Sequence, residues 1–185
     1  MRRISSVVAV LAAGVAGCRG GSLTELEGVY SISTWTESST SCDAEGPSVA
    51  AQRSPSFYLK AESFFGEDFV NVKSCDSDAE CRMLATEEDT IHIGEFTFDD
   101  GSDADGWSSG TATGFELDGS CMGLVSESKL TATGEQIRIE VRRIDVPPFA
   151  PDAQNECPDE AVAAAAAGQP CTDLEVVTGA RTGGF

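Results

Sequence analysis

The chain has 185 residues, of which 31 are acidic and 12 basic, for a formal net charge of −19. A surface this acidic repels phosphate, which argues against nucleic acid as a partner, and it repels anionic head groups too. Any hold on a membrane must come from something other than surface charge.

The N-terminus begins Met1-Arg2-Arg3, runs through an apolar stretch from Ile4 to Val15, and leaves by the small residues Ala16 and Gly17. A basic start, about a dozen apolar residues and a small-residue exit make an export signal, too short to span a hydrocarbon core of roughly 30 Å. Residues 1–17 are therefore expected to be removed, and no later segment is long and apolar enough to cross. The exit Val15-Ala16-Gly17-Cys18 resembles the lipobox of bacterial lipoproteins. That resemblance implies a diacylglyceryl group on the Cys18 thiol, cleavage just before it, and attachment to the membrane through lipid. The cysteine layout as a whole is similar to that of uncharacterised lipoproteins of Gram-negative bacteria, which brings no activity with it. Arg19 stands where an aspartate would mark inner-membrane retention in enteric bacteria, so the resemblance favours the outer membrane. Without Arg2 and Arg3 the basic residues fall to 10 against 31 acidic ones, a net charge of −21. Residues 18–25 are a short tether, and 26–179 are expected to form a single domain, with 180–185 a frayed tail.

Beyond Gly28 the main signal is alternation. Runs at 28–37, 56–61, 68–73, 91–98, 109–117, 120–131 and 172–178 read as short strands. The clearest, Ile137 to Ile144, sets Ile137, Ile139 and Val141 against Arg138, Glu140 and Arg142. Asp118-Gly119 is a two-residue hairpin signal, and Thr133-Gly134 marks another reversal. The polar stretch 38–54 is a long connection held by Cys42. Closely spaced strands joined by reversals predict an all-β fold, an antiparallel barrel or sandwich with one or two short helices.

Setting Cys18 aside leaves Cys42, Cys75, Cys81, Cys121, Cys157 and Cys171, an even six in an oxidising compartment. Three disulfides are expected. Ser77-Asp78-Ala79-Glu80 has the form of a capping box, which places Cys81 in the first turn of a short helix and makes Cys75–Cys81 a staple across its entry. Pro158, Asp159 and Glu160 open an alanine run that Gly168 and Pro170 stop, a helix over 158–167. Cys157 and Cys171 bracket that helix and are expected to pair, leaving Cys42 with Cys121. The spacings do not give a zinc knuckle.

Leu26, Gly28, Tyr30 and Ile32 resemble the start of the first strand in lipocalin-like barrels, where a Gly-x-aromatic element closes the base. The resemblance implies a barrel, a basic residue on a late strand over Tyr30, for which Arg138, Arg142 and Arg143 are candidates, and a small apolar ligand if the barrel is cupped.

No catalytic set assembles from these residues. His92, the one histidine, sits between Ile91 and Ile93 without a nucleophile elbow near it and reads as structural. Asp99, Asp100, Asp103 and Asp105 crowd a glycine-rich loop and are weak candidates for a hard cation. The EF-hand register fails there, because Gly101 and Ala112 fall where ligands are needed. No motif asks for a cofactor. The leading expectation is a lipid-anchored envelope lipoprotein that binds a small apolar ligand or an envelope protein. The alternative is an envelope hydrolase using paired carboxylates, one of which would need a raised pKa.

Overall fold

A computed structural model describes residues 25–64, 67–87, 94–154 and 156–185. Cys18, His92 and the start of the predicted 91–98 strand lie outside the described residues. No described helix is long and apolar enough to cross a membrane.

Among the described residues nine antiparallel strands make one sheet: β1 (Gly28–Ser38), β2 (Ser56–Phe64), β3 (Glu67–Cys75), β4 (Phe96–Phe98), β5 (Asp100–Ser102), β6 (Gly106–Leu117), β7 (Ser120–Thr133), β8 (Gln136–Phe149) and β9 (Asp173–Gly183). The order is β4-β3-β2-β1-β9-β8-β7-β6-β5. β4 and β5 stand at opposite ends of this order, yet only Asp99 separates them along the chain. Residues 96–102 thus act as one bent strand, pairing with β3 through Phe96–Phe98 and with β6 through Asp100–Ser102. The Asp99 N–H donates to the Ser108 carbonyl at 3.1 Å at the bend. The result is a nearly closed barrel, one of the two architectures the alternation predicts.

The inward residues follow from the register. Tyr30 lies opposite Phe57 and its ring stacks on it, with centroids 5.4 Å apart. Leu59, Val72, Val70, Phe98, Trp107, Leu130, Ile139 and Val177 continue the same buried cluster, so every strand but β5 contributes to it. The waist is filled by side chains. Burying this much apolar surface at roughly 25 cal/mol per Å² is the main stabilising contribution.

Turn chemistry behaves as the sequence predicts. Asp118 and Gly119 both take positive φ, 51° and 78°, which makes the mirror-image turn that a twisted two-residue hairpin needs. Ser77 caps α1 (Asp78–Ala85) by accepting from the Glu80 N–H, and Glu80 accepts from the Asp76 N–H at 2.8 Å. α2 (Asp159–Ala166) falls within the predicted 158–167. The polar stretch 38–54 contains a 3-10 turn at Ala50–Gln52. Ser48 bridges to Thr36 and Val49 packs on the core, so this loop completes the β1 edge beyond the reach of β2.

Two expectations fail for the same reason. The frayed tail at 180–185 is structured to Gly183, since β9 pairs with β1 from Leu174 to Gly183. Arg82 Nε donates to the Gly184 carbonyl at 3.2 Å, and Phe185 meets the edge of Tyr58. The basic residue at the barrel base is not Arg138, Arg142 or Arg143 but Arg181. It is the register partner of Tyr30 and donates to the carbonyls of Glu25 and Glu27. Tyr30 itself donates to the Leu26 carbonyl at 2.7 Å, so the two side chains together tie down residues 25–27. Arg138 sits one strand away, opposite Thr178, and Arg143 lies at the far end, opposite Asp173.

The disulfides correct the predicted pairing in two of three cases. Cys75–Cys81 forms as expected, while Cys42 pairs with Cys171 and Cys121 with Cys157. Bracketing a helix says nothing of what its two ends lie beside. Cys157 enters α2 over the start of β7, next to Cys121, and Cys171 precedes β9, beside the loop that carries Cys42. Closing a 129-residue separation stabilises by about 5 kcal/mol in the chain-entropy model.

Burial raises the pKa of Tyr30 and pushes that of Tyr58 up to about 12. These are the two tyrosines of the chain. Titrating phenolate absorbance in the native protein should show no step near pH 10, whereas in denaturant both should ionise there. Stability should accordingly fall as pH climbs above 10, because the unfolded chain releases those protons first. A second expectation concerns the base: Arg181→Met should cost about 2–3 kcal/mol in urea unfolding through the two carbonyls it leaves unpaired, and Arg142→Met less than 1.

Candidate functional site

β6, β7 and β8 run to 12, 14 and 14 residues, longer than the barrel needs, and their far halves project past it as a three-stranded extension. Alternation gives this extension two faces. On one, Ala112, Val125, Ile144 and Val146 pack against Val162, Ala165 and Ala166 of α2. Gly114 and Gly123 lie opposite each other beneath the helix, and a Cβ on Gly114 would stand 2.6 Å from both the Val162 side chain and the Cys157 carbonyl. Their lack of a side chain is what lets α2 lie this close. The Cys121–Cys157 disulfide then fixes the helix entry to β7.

Among the described residues no helix covers the opposite face. Phe115 and Leu117 are each 52% exposed and Leu124 is 38% exposed, with Met122 half-buried between them. Phe115, Met122 and Leu124, with Asp145, Pro147, Pro148 and Pro170, line a groove of about 530 Å³. Isolated exposed apolar side chains are ordinary, but a contiguous group on a rigid element marks a contact surface.

Between this extension and the packed waist lies a polar layer. Glu175, 6% exposed, accepts from Trp35 Nε1 at 2.8 Å and from Arg143 at 2.9 Å. Arg143 also donates to Asp173 at 2.8 Å. Burial alone would lower the pKa of Arg143, yet Glu175 and Asp173 outweigh it and raise it. Arg53 stacks over the Trp35 ring, 4.8 Å from its centroid, and binds Glu37. The layer is internally paired, and its groups hold the 38–54 loop to the barrel.

A second depression, about 720 Å³, crosses the outside of β5–β8. Glu127 lies opposite Arg142 and Lys129 opposite Glu140, and Glu140 accepts from both Arg138 and Arg142. Burial alone would raise the pKa of Glu140, but Arg142 and Arg138 hold it below the usual carboxylate range. Asp78 is lowered as well, by hydrogen bonds from Ser56 and Thr182. A proton-donating carboxyl needs the opposite shift, so these groups lend the paired-carboxylate alternative nothing.

The acidic loop is a β5–β6 hairpin. Asp103 accepts from Trp107 Nε1 at 3.0 Å, Asp105 from Ser102 Oγ at 2.9 Å, and Asp100 lies in the β5 ladder opposite Ser108. The carboxylates of Asp103 and Asp105 serve the turn, and among the described residues no group of three or more metal-ligating side chains converges. What the sequence reading missed is the apolar tip. Phe115, Leu117, Met122 and Leu124 were visible as strand residues, and the signal that they are exposed is the length of the 109–131 hairpin relative to its neighbours.

No protein-family model, curated protein or solved structure was found to match the chain significantly.

Replacing Gly123 by alanine should drive Val162 and α2 away from the sheet, at a cost of about 1–3 kcal/mol. Protease sensitivity at 150–170 should rise with it, with the barrel itself unchanged by circular dichroism.

Proposed function

We propose that the chain is a lipid-anchored lipoprotein of the bacterial cell envelope, held through acyl chains on Cys18, and that it works as a protein-binding module. The observation that carries the binding role is the exposed apolar face of Phe115, Leu117 and Leu124 on a helix-backed, disulfide-pinned extension. The filled waist favours a protein over a small apolar ligand held inside the barrel.

Orientation supports the same reading. Residue 25 and the β7–β8 turn meet at the base, where the Arg181 N–H donates to the Glu135 carbonyl. The Asp118-Gly119 tip is at the other end of strands 12–14 residues long, about 40 Å away at 3.3 Å per residue. A tether over 18–25 reaches at most about 25 Å fully extended. The apolar tip therefore points away from the bilayer in which Cys18 would sit. Arg19 in place of an aspartate favours the outer membrane, as the lipobox resemblance implies, and acyl chains rather than the acidic surface supply the hold.

Cys18→Ala should move the protein from the membrane to the soluble fraction of the envelope; retention in membranes would remove the anchor from this account. A photo-cross-linking residue at Leu117 should yield a discrete adduct in cells, and Phe115→Ser with Leu124→Ser should abolish it. An adduct unchanged by both substitutions would place the contact elsewhere.

A further inference from the structure

The projecting extension has two side edges, and they are built differently. The β8 edge carries Pro147 and Pro148, which have no N–H to offer an incoming strand. On the other side, β5 covers only Gly106–Ser108 of β6. From Ser109 to Leu117 the backbone pairs with β7 alone, and among the described residues nothing bonds its far side. Gly110, Thr111, Thr113, Phe115, Glu116 and Leu117 are all exposed along it. Folded proteins normally blunt such an edge with proline, lysine or a bulge, and this one has none of them.

We infer that the β6 edge over 109–117 takes up one extended segment of the partner as an added strand, neutral or apolar at its centre and basic at both ends. This rests on the protein-binding role proposed above and names its mode. Strand addition satisfies the open N–H and C=O groups, while alternate side chains of the incoming segment fall beside Phe115 and Leu117 on the apolar face. Phe115 belongs both to this edge and to the groove, so a segment on the edge borders the groove there.

Charge specifies the occupant. Residues 109–115 carry no charge, over a span of about 23 Å. Asp99 and Asp100 stand at the near end, beside Ser108, and Glu116 and Asp118 at the far end. A segment with basic residues at each end matches that pattern. A second copy of this chain does not: antiparallel self-pairing centred on Thr113 sets Asp118 of one copy beside Ser108 and Asp100 of the other, at both ends, between two chains of net charge −19.

The test is hydrogen exchange on the full chain in detergent micelles. The probe is a synthetic peptide of alternating valine and threonine, as long as residues 109–117, with lysine at each end. Exchange of β6 amides over 109–117 should slow by about tenfold or more, with glutamate-ended and proline-centred versions giving no protection. Three results would overturn the inference. One is peptide contact at Met122 and Leu124 without β6 protection, which leaves the apolar-face role standing. Another is protection that grows with protein concentration alone, which makes the occupant a second copy. The last is equal protection by the glutamate-ended peptide, which removes the charge rule. The cellular cross-link at Leu117 is read separately, so loss of the strand mode and loss of protein binding are distinguishable.

Discussion

The pairing of β1 with β9 is the constraint on which the rest depends. It joins the first and last strands of the chain, sets Tyr30 opposite Arg181, and turns a meander into a barrel with one buried face. Without it the inward side chains of both halves would face water, and the chain would have two long open edges. The Arg181 and Tyr30 hydrogen bonds to residues 25–27 lock the pairing at the base, where the chain enters the fold. The Trp35–Glu175–Arg143 layer locks it at the other end.

Closure by β1 and β9 spends the edges of the barrel but not those of its longest strands. β6, β7 and β8 overshoot the ring, and the overshoot needs its own support, which α2 and the Cys121–Cys157 bond provide on one face. Among the described residues nothing covers the other face or pairs with the β6 edge. On the binding role proposed above, stability and binding fall to different parts of one sheet: a filled waist that gains from burial, and a stiffened extension whose apolar side chains gain nothing until something covers them.

Much of the strand content was legible because a half-buried antiparallel strand writes its faces in alternate residues, most clearly in Ile137, Ile139 and Val141. The helix at 158–167 and the Asp118-Gly119 turn were legible for local reasons, since caps and positive φ depend on a few neighbouring residues. The β9 tail was not, because Gly179 to Gly183 alternate no apolar side chains and are ordered by pairing with β1 and, at Gly179 and Ala180, with β8. Arg181 was overlooked with it. The open β6 edge was unreadable as well: Ser109 to Phe115 look the same whether or not a further strand lies beside them.

The sequence by itself determined the even six cysteines after Cys18, the strands with clear alternation, and the staple between Cys75 and Cys81, whose ends are six residues apart. Only the tertiary structure decided that Cys42 meets Cys171 across 129 residues, that Cys157 meets Cys121, and that the apolar tip stands free. The division has one cause. Local signals report the conformation of a few adjacent residues, while pairing across the barrel depends on which strands close the ring and how far three of them overrun it.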